Sequence, residues 1–273
     1  MAIDPTARVS DGARIGADVV VGPYCLVGPR VELSSGVRLI GHVNVTGVTS
    51  IGERTVVYPF VSLGTPPQSV HYRGGATRLV IGGGCELREG VTMNTGTEDG
   101  GGLTCVGERC TFMVGAHVGH DCIVGNEVTL ANNAVLGGHV SVGDYTFLGG
   151  HVAIHQFVRI GEGAMMAGMS AARDDIIPFG FALGQTGALV GLNTVGLRRR
   201  GANRAELHRL RRAYRSLFFV EGRLAERIGA VAREFAGDPL VEKVIAFIRA
   251  GGKRPLMRPR GKDAFDQNDD DAS

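Results

Sequence analysis

The chain has 273 residues, of which 43 are Gly and none is Trp; 44% of the residues are hydrophobic and only 6% are aromatic. Glycine occurs at about twice its average frequency, but there are only 10 Pro and no Gly-X-Y period, which excludes collagen, and the apolar content excludes a disordered linker. The formal net charge is only +2.

No run of about 18 apolar residues is present, so no membrane-spanning helix is expected. The first residues, MAIDPTARVSDG, have neither the basic start nor the apolar core of a signal peptide. These features predict a cytoplasmic protein without integral membrane association. The five cysteines include no C-x-x-C pair, which predicts reduced thiols and neither a disulfide framework nor a zinc ribbon.

The charge is unevenly distributed along the chain. Residues 1–197 contain 11 Arg, no Lys and 16 acidic residues, whereas residues 198–262 contain 18 basic and 6 acidic residues. An acidic tail with 5 acidic residues follows from Asp263. The basic module, with a net charge of +12, is expected to attract phosphates or an acidic protein partner.

An aliphatic or similarly apolar residue recurs every six positions along most of the chain, often followed by Gly. The first series is Ile3, Val9, Ile15, Val21, Val27, Leu33, Leu39, Val45, Ile51, Val57 and Leu63, with the same phase at Ile81, Leu87 and Met93. The second is Val106, Phe112, Val118, Val124, Leu130, Leu136, Val142, Leu148, Ile154, Ile160 and Met166. A period of six fits neither an α-helix nor an alternating strand, and predicts a parallel β-helix of short strands and tight corners.

Four positions after each of these residues stands a small or β-branched residue, and four of the five cysteines occupy this position. They are Cys25, Cys85, Cys110 and Cys122. We expect them to be small core residues. Three hexads make one triangular coil of 18 residues, so residues n and n+18 are expected to stack about 4.8 Å apart.

Breaks in the repeat define the expected domains. Residues 1–192 are predicted to form the β-helix, with loop excursions at 65–80 and 98–104. Residues 193–250 form a basic α-helical domain, in which Asn203 and Glu206 resemble a capping box before one helix, with further helices over about 221–235 and 240–249. Residues 251–273 are predicted to be a disordered tail.

The 18-residue stack brings several polar residues together. It places Gly138 over His120 and Gln156 over Gly138, with Asp121 and His139 in the neighbouring column. His155 lies within the same two coil steps, and His117 lies at the preceding corner. So many histidines in one patch indicate a functional site.

Two chemistries could use this patch. Histidines could hold a zinc ion with an open position for water, as in some hydratases with this repeat. Alternatively, a histidine could act as general base on an alcohol that attacks a thioester, with a nearby Asp orienting the ring. In the second case the backbone N–H of Gly138 could stabilise the tetrahedral oxyanion.

The motifs GAHVGHDCIVGNEVTLANNAVLGGHVSVGDYTFLGG, AIHQF, GTEDGGGLT and GLNTVGLRRRG resemble the UDP-N-acetylglucosamine O-acyltransferases. The resemblance runs from Ile3 to about Ala250. It implies a homotrimer of left-handed β-helices with active sites between subunits. It also implies transfer of a (R)-3-hydroxyacyl chain from acyl carrier protein to the sugar 3-hydroxyl of UDP-N-acetylglucosamine, the first step of lipid A synthesis. No cofactor, metal or nucleic acid is implied.

The resemblance also implies residue roles. His120 would be the general base, Asp121 would orient it and the Gly138 amide would form the oxyanion site. The expected substrate-binding residues are His117, His139, His155, Gln156, Gln68, Ser69, Asn94, Asn193, Arg199 and Arg200, with the last three holding the nucleotide. Gly168 matches the position that limits acyl length, and glycine there implies a fairly long chain, near fourteen carbons.

Three positions depart from the family pattern. Ser69 stands where an Asp is common, Asn94 where a His is common and Val195 where a Glu is common. These departures leave a 3-amino analogue of the sugar open as acceptor, which would give an amide product. The zinc hydratase, an N-acyltransferase that acts later in the same pathway, and a non-catalytic scaffold also stay open. The uninterrupted repeat from Ile3 counts against the N-acyltransferase, because that relative carries an additional N-terminal domain.

Overall fold

The computed structural model describes residues 1–259. Its strands in chain order are β1 (Ala2–Ile3), β2 (Arg8–Val9), β3 (Arg14–Ile15), β4 (Val20–Val21), β5 (Leu26–Val27), β6 (Val31–Leu33), β7 (Arg38–Leu39), β8 (Asn44–Val45), β9 (Val48–Ile51), β10 (Val56–Val57), β11 (Ser62–Thr65), β12 (Arg78–Ile81), β13 (Glu86–Leu87), β14 (Thr92–Asn94), β15 (Leu103–Val106), β16 (Thr111–Phe112), β17 (His117–Val118), β18 (Ile123–Val124), β19 (Thr129–Leu130), β20 (Val135–Leu136), β21 (Ser141–Val142), β22 (Phe147–Leu148), β23 (Ala153–Ile154), β24 (Arg159–Ile160), β25 (Met165–Met166), β26 (Ala171–Ala172), β27 (Gly180–Leu183) and β28 (Ala188–Leu192). The helices are α1 (Thr194–Arg199), α2 (Arg204–Phe218), α3 (Leu224–Glu234) and α4 (Pro239–Ala250).

Within residues 1–259 these strands form three sheets, one for each side of a triangular prism. Sheet A has 11 strands in the order β1-β4-β7-β10-β13-β16-β19-β22-β25-β27-β28, sheet B has β2-β5-β8-β11-β14-β17-β20-β23-β26, and sheet C has β24-β21-β18-β15-β12-β9-β6-β3. In uninterrupted coils the paired residues are 18 apart, as in Val20 with Arg38 and Val118 with Leu136. The predicted coil length is confirmed.

The interior of the prism holds the repeated apolar residues. Val21, Leu39 and Leu130 point inward and are buried, as are Cys85 and Cys122 in the small-residue position. The glycines that follow the repeated aliphatic residues allow close stacking of coils, because a side chain at Gly22 would overlap the backbone carbonyl of Ile40 in the next coil.

Two loops leave the coil. The first loop, residues 66–77, lies between β11 and β12, and here the paired residues are 30 apart, as in Thr49 with Leu79. The second loop, residues 95–102, lies between β14 and β15, where the separation is 25, as in Thr92 with His117. The loops lie near the predicted excursions at 65–80 and 98–104, but residues 78–80 of β12 and 103–104 of β15 are strand inside those ranges. The second loop also begins at residue 95, three residues before its predicted start.

The last coil is closed by elements that the sixfold pattern did not predict. β27 and β28 form an antiparallel pair, and the short helix α1 begins at its N-cap Asn193. Helix α2 starts with the expected capping box, in which the Asn203 side chain accepts from the Glu206 N–H and Glu206 accepts from the Asn203 N–H. Helices α3 and α4 follow close to their expected ranges. Within the described residues, no helix has the length and apolar character needed to cross a bilayer.

The segment after α4 corrects one prediction. Residues 251–259 are ordered on the β-helix rather than forming part of a disordered tail. The Asp175 N–H donates to the Pro255 carbonyl at 2.8 Å, the Met257 N–H donates to the Asp175 carbonyl at 2.8 Å, and the Met257 side chain is buried. The polar composition hid this contact because a single buried Met and backbone hydrogen bonds carry it. The remainder of the predicted tail, residues 260–273, lies outside the described residues.

Candidate active site

One edge of the prism gathers most of the predicted site residues. This edge, here called the B/C edge, is the column of turns that lead from sheet B to sheet C. The turn after β17 carries His120 and Asp121, the turn after β20 carries Gly138 and His139, and the turn after β23 carries His155 and Gln156. The 18-residue stack therefore places these residues as predicted.

His120 and Asp121 form a closely packed pair. The Nδ1 atom of His120 lies 2.8 Å from Oδ2 of Asp121, whose side chain is only 1% exposed. Asp121 adopts a left-handed backbone conformation, with φ of 59°, which turns two consecutive side chains toward each other. The carboxylate accepts the Nδ1–H bond, so the imidazole keeps a free lone pair on Nε2. That lone pair is what a general base needs.

The second loop and the following strand, β15, supply the groups that hold Asp121. The Thr97 N–H donates to Oδ1 and Oδ2 at 2.9 and 3.1 Å, and the Thr97 hydroxyl donates to Oδ2 at 2.6 Å. The Asp121 N–H in turn donates to Oγ1 of Thr104 at 2.8 Å. Several donors stabilise a buried carboxylate and fix its orientation. Sequence reasoning missed both residues, although Thr97 directly precedes the interruption predicted at 98–104 and Thr104 is its last residue.

Gly138 lies directly against the His120 ring. A Cβ at this position would lie 2.5 Å from Nε2 of His120 and would overlap Cε1. The His139 N–H and the His120 carbonyl form a hydrogen bond of 2.9 Å that fixes the two turns relative to each other. No acceptor within residues 1–259 takes the Gly138 N–H. The absence of a side chain leaves room beside Nε2, and the free N–H adds a donor.

The neighbouring rings line this edge. His139 stacks on Phe157 with ring centroids 4.5 Å apart and meets His120 edge to face at 5.0 Å. Burial lowers the pKa of His139, although the Asp121 carboxylate opposes this shift. Burial also lowers the pKa of His117, with a smaller effect from His120, and Nδ1 of His117 lies 2.8 Å from the Thr92 hydroxyl. Both rings are therefore held toward the neutral form.

Asn94, Ser69 and Gln68 lie beside the first loop. Asn94 is buried at the end of β14, and its Nδ2 donates to Oγ1 of Thr65 and to the Pro66 carbonyl at 2.9 and 3.1 Å. Its Oδ1 is buried and has no partner in the described part of the chain. The Ser69 hydroxyl accepts from the His71 N–H at 3.3 Å within the loop, and Gln68 is exposed.

The remaining predicted residues lie on other edges of the same chain. Gly168 follows β25 at the edge between sheets A and B. Asn193 donates from Nδ2 to the Gly163 carbonyl at 3.0 Å, and Arg200 stacks over Tyr145 at 5.2 Å, which places both at the edge between sheets C and A. Arg199 is exposed at the end of α1. A single chain does not bring these residues together with His120.

His120, Asp121 and His139 have ligand atoms within 4.8 Å of one another, a spacing that could hold a metal ion. However, both Asp121 oxygens already accept hydrogen bonds from Thr97, and Oδ2 also faces His120. A metal ion would have to displace these donors. The hydrogen bonding therefore fits a base held by a carboxylate better than it fits a metal centre.

The stacked coils of six-residue repeats define the class of hexapeptide-repeat β-helix proteins, and comparison with known proteins identifies the family within it. The chain is 59% identical over 257 residues to the acyl-(acyl-carrier-protein)–UDP-N-acetylglucosamine O-acyltransferase of Azorhizobium caulinodans, covering 94% of this chain and 95% of that protein. A family model described as UDP-N-acetylglucosamine O-acyltransferase, domain 2, matches residues 175–257.

Solved structures agree. The UDP-N-acetylglucosamine acyltransferase of Campylobacter jejuni is 38% identical, with a TM-score of 0.89 over 94% of this chain and 100% of that one. The UDP-N-acetylglucosamine O-acyltransferase of Moraxella catarrhalis is 33% identical, with a TM-score of 0.91 over the same shares of the two chains. The chain belongs to the UDP-N-acetylglucosamine O-acyltransferase family, and its fold is the expected left-handed parallel β-helix followed by α-helices.

Proposed function

We propose that the protein transfers a (R)-3-hydroxyacyl chain from acyl carrier protein to the 3-hydroxyl of UDP-N-acetylglucosamine, the first step of lipid A biosynthesis, in the cytoplasm. Nε2 of His120 takes the proton from the sugar hydroxyl as its oxygen attacks the thioester carbonyl carbon. The Gly138 N–H donates to the resulting oxyanion. The C–S bond then breaks, and the thiolate recovers the proton from His120.

The observation that carries this proposal is the position of the His120 ring between the Asp121 carboxylate and the backbone of Gly138. The carboxylate orients the ring and stabilises its protonated form during transfer. Family membership supports the substrates, because the Azorhizobium caulinodans relative is named for this pair.

The test is a transfer assay with purified protein, UDP-N-acetylglucosamine and 3-hydroxyacyl carrier protein, with the product analysed by mass spectrometry. We expect His120→Ala to lower kcat by about 10²–10⁴-fold, the usual contribution of a general base. Absence of an acylated nucleotide sugar with the wild-type protein would refute the substrates. Full activity of the variant would refute the base.

The placement of predicted residues on three edges supports a homotrimer with the active site between subunits. If His120 of one subunit acts with Gly168 and Arg200 of others, two inactive variants should complement each other. Co-expression of His120→Ala with Arg200→Ala should then restore part of the activity, because mixed trimers contain some intact sites. Two variants that never complement, or a monomer in analytical ultracentrifugation, would contradict this arrangement.

The basic α-helical region supports docking of the acidic acyl carrier protein. Some of its charges are paired internally, as in Arg209 with Asp238 at 2.6 Å and Arg212 with Glu234 at 2.6 Å. The surplus of basic residues between 198 and 262 nevertheless remains large. Salt should therefore raise the KM for acyl carrier protein more than the KM for the nucleotide sugar, because screening weakens attraction between charged surfaces.

A 3-amino analogue of the sugar is the second candidate acceptor. The unpartnered Oδ1 of buried Asn94 requires a donor, and an amino group offers two N–H bonds where a hydroxyl offers one. An equimolar competition between the two nucleotide sugars distinguishes the candidates, since mild base releases the acyl chain from an ester and leaves an amide intact. Metal analysis of the active protein tests the zinc hydratase, which requires one bound ion per site.

A further inference from the structure

A short segment after α4 reaches the B/C edge. Residues 251–258, here called the C-terminal strap, are held by the backbone hydrogen bonds to Asp175 described above. Asp175 is itself fixed in the core by Arg159, with Nε of Arg159 2.7 Å from Oδ2. Gly252 packs against this ion pair, where a side chain would overlap both partners. The strap is therefore anchored at a fixed height on the β-helix.

The anchored strap places Arg254 on the turn that carries His155 and Gln156. Nε of Arg254 donates to the Gln156 carbonyl at 2.9 Å, and one terminal guanidinium nitrogen lies 2.7 Å from Nδ1 of His155. The planar guanidinium thus contacts two adjacent acceptors at once, an arrangement that fixes geometry as well as adding binding energy.

The chemistry of arginine determines the state of the imidazole. A guanidinium has only donors, so Nδ1 of His155 must accept with its lone pair. The single ring proton then lies on Nε2. Without Arg254 the ring would have a different partner, because Nδ1 also lies 3.2 Å from the Gln156 carbonyl and could donate to it only if protonated. Arginine and carbonyl therefore favour opposite tautomers.

A second strap residue, Lys253, contacts Phe157, which follows Gln156 in the same turn. Nζ of Lys253 lies 4.2 Å from the Phe157 ring centroid, on the ring that stacks on His139. Neither Lys253 nor Arg254 has a carboxylate partner within residues 1–259. The strap thus adds two cations beside the histidines of the site.

We propose that Arg254 is a positioning residue that holds His155 in its neutral Nε2–H tautomer, so that His155 donates a hydrogen bond to an oxygen of the bound substrate. This proposal rests on the proposed function for the identity of the substrate, but the tautomer itself does not depend on it. The oxygen belongs either to the diphosphate-linked sugar or to the pantetheine arm of the acyl donor.

The direct test is the ring ¹⁵N spectrum of histidine-labelled protein, with the His155 signals assigned by their loss in His155→Gln. We expect an unprotonated Nδ1 and a protonated Nε2 in the wild type at neutral pH. In Arg254→Met the Nδ1–H tautomer should become detectable, since the Gln156 carbonyl, 3.2 Å from Nδ1, can then accept its proton. A wild-type ring protonated at Nδ1, or identical spectra of wild type and Arg254→Met, would overturn the proposal.

Kinetics supply a second measurement. We expect Arg254→Met to raise the KM for one substrate about tenfold, the effect of losing one hydrogen bond to the substrate, with kcat changed much less. A higher KM for the nucleotide sugar identifies that substrate as the ligand of His155. A higher KM for the acyl carrier protein identifies the pantetheine arm. Unchanged KM values in both titrations contradict the role in substrate binding.

The matched control is Arg258→Met, which removes an exposed arginine from the same strap and should leave the His155 spectrum and the KM for the nucleotide sugar unchanged. Arg254→Lys retains the charge but cannot contact both acceptors as a planar fork, so it should give an intermediate KM. If Arg254→Met does not fold, Arg254→Lys replaces it in both measurements. A wild-type protein without transferase activity would refute the proposed function while the tautomer measurement would still decide the role of Arg254.

Discussion

At the scale of single residues, the orientation of the His120 ring is fixed by the groups packed against it. His120 lies between a buried carboxylate and a glycine, and neither neighbour leaves the ring room to turn. Asp121 depends in turn on Thr97, which contributes both its N–H and its hydroxyl. Small changes at these positions should therefore affect the rate more than the fold.

Gly138→Ala should lower kcat about 10²-fold or more, because the added methyl group occupies the space beside Nε2 of His120 and displaces the base. Gly28→Ala is the matched control: a Cβ there would lie 3.5 Å from Cα of Thr46, an ordinary contact far from the site. Steady-state kinetics and circular dichroism of both variants provide the measurement. Wild-type kcat in Gly138→Ala would contradict the assigned geometry.

Thr97→Val should reduce kcat about tenfold, since it removes the hydroxyl that donates to Asp121 and leaves a buried carboxylate short of one hydrogen bond. Thr97→Ser restores the hydroxyl and should recover most of the activity. A comparison of kcat and KM in the three proteins checks this prediction. Wild-type kcat in Thr97→Val, or a loss in Thr97→Ser as large as that in Thr97→Val, would contradict the role of the hydroxyl.

The sequence indicated only part of this arrangement. The sixfold period placed Gly138 beside His120 because stacking by 18 residues needs no knowledge of side chains. It could not show that Thr97 holds Asp121, since Thr97 lies in a loop whose path has no period. Arg254 was hidden for a similar reason, because its contact with His155 joins residues 99 positions apart.

At the scale of structural elements, the two loops support each other. Oε1 of Glu98 in the second loop accepts from the Gly75 N–H at 2.6 Å and from the Arg73 N–H at 3.2 Å in the first loop. The pKa of Glu98 is lowered first by a hydrogen bond from its own backbone and then by those from Gly75 and Arg73. The loop that fixes Asp121 therefore also fixes the loop that carries Ser69. The period of six predicted where the two loops interrupt the coil. It did not predict the hydrogen bonds between the loops.

Glu98→Ala should make the first loop easier to open, and trypsin should then cleave after Arg73 about threefold faster or more, because proteolysis follows local opening. Glu53→Ala is the control, since Glu53 is an exposed acid whose side chain pairs with its neighbour Arg54 at 3.5 Å. Mass spectrometry of timed digests measures both rates. Equal cleavage rates at Arg73 in the two variants would show that Glu98 does not hold the first loop in place.

At the scale of the whole molecule, the interior consists of stacked columns of small and branched apolar side chains. The cysteines belong to these columns, and four of them are buried whereas Cys105 is half-buried. Burial raises the pKa of Cys122 to about 12, so its reactive thiolate is suppressed. The repeat predicted this interior, because small residues that recur at a fixed spacing stack on one another inside the coils.

Thiol titration of the native protein with a chromogenic disulfide should therefore detect about one thiol per chain, Cys105, with the other four reacting only as the β-helix unfolds. The titration is repeated in guanidinium chloride, where all five should react. Rapid reaction of two or more thiols in the native protein would mean that the columns open readily.

The constant separation of 18 residues between stacked partners limits which insertions and deletions such a chain can tolerate during evolution. Loss of one whole turn upstream of the first loop, such as residues 22–39, would join Val21 to Ile40 in the same phase, and would shorten the rod by about 4.8 Å. A deletion that is not a multiple of 18 residues would rotate the downstream coils relative to the upstream coils. Whole turns can therefore be gained or lost in the coils before the first loop, whereas the number of turns from the first loop to the strap is fixed.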